Sequence, residues 1–127
     1  MDYVNLVMLF ALVEYIAFIL IVGGTRNKYG VRAPATTGSD IWERLHRVQV
    51  NTTEQLVLFL PSIYFFAYYT SELWAAGLGC VYLLGRIIYF FAYRNSPEKR
   101  ILGAAMTTLP SYLMVIGSIA GMIEKLI

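Results

Sequence analysis

Long apolar runs dominate the sequence, and they restrict the folds that the chain can adopt. Residues 101–123 contain no charged side chain, and residues 3–23 contain one, Glu14. Each run has the length of a helix that crosses the hydrocarbon core of a membrane, which takes about 20 residues. Only 14% of the 127 residues are charged, whereas soluble domains carry about a quarter. The sequence therefore predicts an integral membrane protein and argues against a soluble enzyme, a disordered chain or a nucleic-acid binder.

Two further apolar runs, residues 56–69 and 73–85, are too short to cross a membrane by themselves. A helix of 14 residues covers only about 21 Å. The second helix must therefore begin near Asp40 or Ile41, and the third must continue through Arg86 to Tyr93. The predicted fold is one all-α domain over residues 1–127, an up-down antiparallel bundle of four membrane helices. The expected spans are residues 3–24, 41–69, 73–94 and 97–123, the last beginning with Ser96 as N-cap and Pro97 at the first helical position.

The charges are distributed asymmetrically along the chain. Residues 26–54 and 86–100 hold nine of the ten basic residues and four acidic ones, a net charge of +5, and the rest of the chain has a net charge of −3. Cytoplasmic loops of membrane proteins are enriched in lysine and arginine. We therefore expect a multi-pass protein with its first and third loops in the cytoplasm and both termini on the opposite side.

Polar side chains of different predicted helices fall at one depth of the membrane. Arg47, Asn51 and Glu54 form one helical stripe, and Arg86, Tyr89 and Tyr93 form another. Charged groups within a membrane are costly and are usually paired or functional. One carboxylate cannot neutralise all these arginines, so the surplus favours an anionic ligand. The predicted layer comprises Arg26, Arg47, Asn51, Glu54, Arg86, Tyr89, Tyr93 and Arg100.

A purely structural interpretation competes for each residue taken singly. Arginines near helix ends often extend towards lipid headgroups, which is the expected role of Arg32, Arg44 and Arg94. Glu54 could form a structural ion pair with Arg47 or Arg86. The layer as a whole, with two short apolar runs beside it, favours the ligand-binding interpretation.

Two segments around the polar layer have motif-like spacing of polar residues. Residues 43–54 read E-R-L-H-R-V-Q-V-N-T-T-E, and residues 85–93 read G-R-I-I-Y-F-F-A-Y with Arg100 downstream. They resemble the signatures E-R-x-x-R-x-Q-x-N-x-x-E and G-R-x-x-Y-x-x-x-Y of the MAPEG family, the membrane-associated proteins in eicosanoid and glutathione metabolism. Residues 26–38 are similar to the family's first loop. The resemblance covers essentially the whole chain.

The resemblance implies a homotrimer in membrane lipid, with glutathione held between subunits and a lipophilic electrophile entering from the bilayer. Glutathione is the co-substrate, and no metal is implied. Glu54 would bind the amino group of glutathione, arginines would bind its carboxylates, and Arg100 would stabilise its thiolate as the catalytic residue. The implied glutathione-binding residues are Arg26, Arg47, Gln49, Asn51, Glu54, Arg86, Tyr89 and Tyr93.

Two positions depart from the leukotriene-synthase branch of the family. That branch has a second arginine where this chain has Asn27, and an aromatic residue where it has Gln55. Both departures favour a general glutathione S-transferase, with or without glutathione-dependent peroxidase activity, over leukotriene synthesis.

Two other functions remain open at this point. A small multidrug transporter also has four short helices and one glutamate in the first, and Glu14 fits that pattern. A mid-membrane carboxylate could exchange protons for a cation, although the surplus of arginines would repel cations. A lipid-binding MAPEG member without catalysis is the second alternative, and Arg86, Tyr93 and Arg100 argue against it.

Overall fold

The computed structural model describes residues 1–127 and contains helices without strands. The all-α prediction is therefore confirmed. The elements are α1 (Asp2–Gly24), the short α2 (Arg26–Tyr29), α3 (Asp40–Tyr69), α4 (Glu72–Asn95), a 3-10 turn (Pro97–Lys99) and α5 (Ile101–Leu126).

Three segments are long and apolar enough to cross a membrane: α1, α4, and the stretch Pro97–Leu126 that includes α5. The helix α3 is the longest, at 30 residues, but charged side chains interrupt its first half. It begins at Asp40, so its polar and apolar halves form one continuous helix.

Serine caps determine where α3 and α4 begin. The Ser39 hydroxyl accepts a hydrogen bond from the Trp42 amide at 3.4 Å, and the Ser71 hydroxyl accepts one from the Trp74 amide at 3.2 Å. Such caps satisfy amides that lack a partner within the helix. Only Thr70 and Ser71 separate the two helices, which therefore run antiparallel.

The last helical segment begins where predicted, with Ser96 at the N-cap position and Pro97 first, but its first turn is not α-helical. Residues Pro97–Lys99 form a 3-10 turn, and regular α-helix begins at Ile101 rather than at Pro97. The Ser96 hydroxyl donates to the Glu98 carboxylate and makes no capping bond to a backbone amide. The serine is thus engaged by a side chain, and Arg100 stands at the junction of the two elements.

Close contacts at glycines bring α5 against its neighbours. A Cβ placed on Gly85 would lie 2.7 Å from Met106 Cβ, and one on Gly103 would lie 2.5 Å from the Tyr89 amide nitrogen. Near the other end, a Cβ on Gly117 would lie 2.5 Å from the Phe66 ring. The helix α5 therefore packs on α4 near its start and on α3 near its end.

A buried apolar cluster lies where the first loop meets α3 and α4. The Phe18 and Phe90 rings stack with centroids 5.1 Å apart, and the Trp42 indole donates to the Val22 carbonyl at 2.9 Å. This cluster joins α1, the first loop, α3 and α4 next to the polar layer. Its members are Phe18, Val22, Val31, Trp42, Leu45, Val48, Tyr89 and Phe90.

Candidate functional site

Arg86 is the most buried charged side chain of the predicted layer, with 1% of its surface exposed. Its Nη1 donates to Asn51 Oδ1 at 2.9 Å, and its Nη2 donates to Thr52 Oγ1 at 2.8 Å. The guanidinium carbon lies 4.5 Å from the centroid of the Tyr89 ring. Two neutral groups and an aromatic face thus hold the guanidinium, and none of them cancels its charge.

Thr52 is a member of this cluster that the sequence pattern did not single out. Its hydroxyl donates to the Val48 carbonyl at 2.6 Å while it accepts from Arg86. Its position along the helix could have revealed it. Thr52 is a polar residue in the buried stripe that also contains Leu45, Val48 and Leu56, and a buried hydroxyl usually has a partner.

Tyr89 connects Arg86 to the rest of the layer. Its ring stacks on that of Tyr93, with centroids 5.5 Å apart. Arg47 stands one helical turn before Asn51 in α3. The contact of Gly103 with the Tyr89 backbone brings the start of α5 beside Tyr89, and Arg100 stands three residues before Gly103. The structure thus brings Arg47, Asn51, Arg86, Tyr89, Tyr93 and Arg100 to one level.

Arg26 lies apart from this cluster in the single chain. Its Nη1 donates to the Ala35 carbonyl at 2.8 Å, and its guanidinium stacks over the Trp42 ring at 4.5 Å from the centroid. These contacts tie the first loop to the start of α3. The remaining N–H groups of Arg26 stay available, because a guanidinium has five.

Glu54 and Gln49 are also not joined to Arg86 within the chain. Glu54 is exposed, Gln49 is half-buried, and neither side chain makes a hydrogen bond to another residue. The one ion pair of the chain joins the Met1 amino group to the Glu72 carboxylate at 2.7 Å. The structural ion pairs of Glu54 with Arg47 or Arg86 are therefore absent.

The exposed members of the layer face outward from the chain. Arg47, Glu54 and Arg100 are exposed, whereas Arg86 and Tyr89 are buried behind them. The Arg100 guanidinium makes one bond, from Nη1 to the Pro97 carbonyl at 2.8 Å. This arrangement offers several cationic N–H donors and one carboxylate to a ligand that carries both signs of charge.

The sequence of the chain is similar to those of known proteins. The model of the MAPEG family matches residues 4–120. An uncharacterized protein of Synechocystis sp. is 46% identical over 112 residues, which are 88% of this chain and 82% of that relative. Microsomal glutathione S-transferase 2 of Homo sapiens is 41% identical over 86 residues, and leukotriene C4 synthase of Cavia porcellus is 39% identical over 84. The matches cover 68% and 66% of this chain but only 58% and 56% of those two relatives.

Proposed function

The chain belongs to the MAPEG family, and on this premise we propose that it is a membrane-bound glutathione S-transferase acting on lipophilic electrophiles. The observation that carries the proposal is the state of Arg86. It is buried and held by Asn51 and Thr52, yet it has no carboxylate within ion-pair distance. A guanidinium in that state is suited to bind an anionic group.

The proposed assembly is a homotrimer of four-span subunits, with the first and third loops in the cytoplasm. The outward direction of Arg47, Glu54 and Arg100 supports an active site between subunits, because a neighbour could then complete it. Leaving these charges against lipid would be unfavourable. The electrophile would reach the site from the bilayer.

Residue roles follow from the charges that glutathione carries. Glu54 would bind its amino group, and arginines Arg26, Arg47 and Arg86 would bind its two carboxylates. Gln49, Asn51, Tyr89 and Tyr93 would supply neutral hydrogen bonds. Because Arg86 donates to Asn51 through one N–H, the Asn51 amide nitrogen remains free to donate to the ligand.

Arg100 would act on the sulfur. A free thiol has a pKa of about 8.5, and the thiolate is the nucleophile. A nearby guanidinium stabilises the thiolate and so increases its fraction at neutral pH. With a chlorinated aromatic substrate, the thiol proton is released, the sulfur forms a bond to the ring carbon, and chloride leaves. The same thiolate could reduce a hydroperoxide to an alcohol and water, with a second glutathione forming the disulfide.

Asn27 and Gln55 support a general transferase rather than a leukotriene synthase, because both replace residues that the synthase branch carries. The transporter alternative loses support from the position of Glu14. Glu14 precedes Phe18 by four residues, Arg86 precedes Phe90 by four, and the two rings stack, so Glu14 lies at the level of a buried guanidinium and not in the uncharged interior that cation exchange would use.

The test is conjugation of glutathione to a chlorinated dinitrobenzene by the purified protein in detergent, followed by absorbance, with a lipid hydroperoxide assay beside it. Arg86→Ala should weaken glutathione binding by about 2–5 kcal/mol, since it removes a buried charged partner. Arg94→Ala is the matched control, because Arg94 is an exposed arginine near the end of the same helix.

Three outcomes would redirect the assignment. Glutathione binding without turnover on either substrate class would favour the lipid-binding alternative. Stabilisation by a lipophilic cation that disappears in Glu14→Gln would favour transport. Absence of both binding and turnover would reject the transferase.

A further inference from the structure

The helices α1 and α4 run parallel and in a fixed register. A Cβ placed on Gly79 of α4 would lie 2.5 Å from Val7 Cγ1 of α1, so the two backbones approach closely there. Further along, Phe18 of α1 stacks on Phe90 of α4 with an angle of 1° between the rings. These two contacts define which residues of the helices stand opposite each other.

Glu14 and Arg86 occupy matching positions between those contacts. Glu14 follows Val7 by seven residues and precedes Phe18 by four, and Arg86 has the same spacing from Gly79 and Phe90. Spacings of seven and four residues keep a side chain on one face of a helix. The Glu14 carboxyl group and the Arg86 guanidinium therefore share one level and one interhelical face, without a direct ion pair between them.

Buried polar atoms without a protein partner gather at this level. They are Glu14 Oε1, the Tyr82 hydroxyl and Arg86 Nε. Tyr82 precedes Arg86 by one helical turn and stacks on Phe59, with centroids 3.8 Å apart. Each Nη atom of Arg86 donates one bond, to Asn51 or to Thr52, so Nε is the guanidinium nitrogen that has no partner in the chain.

We propose that Glu14 is a positioning residue that balances the charge of Arg86 from the α1 side and thereby limits how strongly Arg86 attracts glutathione. The effect on glutathione binding rests on the proposed function. The charge balance between Glu14 and Arg86 does not, because it concerns two residues of the chain itself.

The proposal predicts two effects of opposite sign when the charge of Glu14 is removed. A buried guanidinium without a counter-charge is unfavourable, so the free protein becomes less stable. A glutathione carboxylate then becomes the counter-charge that Arg86 lacks, so binding becomes tighter. A glutamate that only packs against its neighbours would not tighten binding when it is altered.

The experiment compares wild type with Glu14→Gln, which keeps the shape of the side chain and removes its charge. We expect the apparent Tm in detergent to fall by about 5 °C or more. We expect the glutathione Kd from calorimetry to fall about 3- to 10-fold, as for a charge interaction across roughly 10 Å of partly polar protein. Glu14→Asp restores the charge and should return both values towards wild type. Glu124→Gln, at an exposed glutamate near the end of α5, should change neither.

A double-mutant cycle tests the interaction between Glu14 and Arg86 without any measurement of glutathione binding. Glu14→Gln and Arg86→Met should each lower the Tm, and the double variant should recover part of the loss, because neither charge is then left alone. This readout needs no ligand, so it still tests the pair if the wild type binds no glutathione and the proposed function fails.

Three results would overturn the proposal. The first is a Glu14→Gln protein with unchanged Tm and unchanged glutathione Kd, which would show that Glu14 contributes no charge at this position. The second is a Glu14→Gln protein with lower Tm and weaker glutathione binding, which would make Glu14 an ordinary structural residue. The third is a cycle in which the effects of the single variants add, which would show that the two charges do not interact.

Discussion

Gly103 lies directly against the backbone of Tyr89. A Cβ on Gly103 would be 2.5 Å from the Tyr89 amide nitrogen and 2.6 Å from its Cα. Because these atoms belong to the backbone of α4, no side-chain rotation could relieve the overlap. The contact fixes the start of α5, and with it Arg100, beside the ring that also packs on Arg86.

Gly103→Ala should therefore destabilise the protein by at least about 1–3 kcal/mol, the usual cost of overpacking. The measurement is thermal unfolding in detergent. Gly77→Ala is the matched control, since Gly77 lies in α4 and a Cβ there would meet nothing within 4 Å. Alanine is the better helix former, so Gly77→Ala should be neutral or slightly stabilising. Equal stability of the two variants would contradict the close packing of α4 and α5.

The second prediction concerns Thr52. Thr52→Val keeps the shape of the side chain but removes the hydroxyl that accepts from Arg86. The freed N–H of a buried guanidinium should cost about 1–3 kcal/mol of stability. Thr52→Ser retains the hydroxyl and should lose less. Thermal unfolding of both variants checks this, and a Thr52→Val protein as stable as Thr52→Ser would show that the bond contributes nothing.

Helical periodicity alone predicts that Asn51, Arg86, Tyr89 and Tyr93 lie close together. The spacing of residues along a helix indicates which helix face they share, and their distance from the helix end indicates their depth in the membrane. The apolar run of residues 56–69 is too short to cross a membrane, so the sequence predicted that α3 begins near Asp40. The helix does begin there. Such inferences need only the geometry of one helix at a time.

The remaining features depend on contacts between segments. Arg26 bonds to the Ala35 carbonyl, and periodicity gives no information about the conformation of a loop. Glu14 and Arg86 lie at the same level because of the register between α1 and α4. Gly79 permits this register because it has no Cβ to collide with Val7. Ser96 keeps the predicted N-cap position, but its hydroxyl bonds to the Glu98 carboxylate instead of a backbone amide, a choice of partner that helical pattern does not predict.

The third prediction concerns assembly. Glu54 is exposed and unpaired in the single chain, and a carboxylate at that depth is unfavourable against lipid. We expect native mass spectrometry in mild detergent to show three copies of the chain. A stable monomer that still conjugates glutathione would falsify the intersubunit site.

The fourth prediction concerns sidedness. In a Cys80→Ala background, Thr36→Cys should be labelled by an impermeant thiol reagent from the cytoplasmic side and Ile127→Cys from the opposite side. Both positions are exposed, so accessibility within the protein does not limit the reaction. Labelling of both cysteines from one side would overturn the four-span topology.

The last prediction concerns the catalytic step. Arg100 stands where the 3-10 turn meets α5, and its side chain is exposed, with one bond to the Pro97 carbonyl. The free amides at the start of a helix add partial positive charge at that point. Arg100→Ala should leave most glutathione affinity intact, because the proposed carboxylate and amino contacts come from other residues. It should lower kcat and raise the apparent pKa of the bound thiol, since each pKa unit corresponds to about 1.4 kcal/mol of lost thiolate stabilisation. The rate would then rise with pH over a higher range than in wild type, where thiolate forms earlier. Ultraviolet absorbance of the thiolate in the glutathione complex, recorded across a pH series, measures this shift directly, and Arg94→Ala should leave it unchanged.

If Arg100→Ala retained both the rate and the thiol pKa of wild type, Arg100 would be a headgroup anchor, and the activation of the sulfur would pass to another group such as Tyr93.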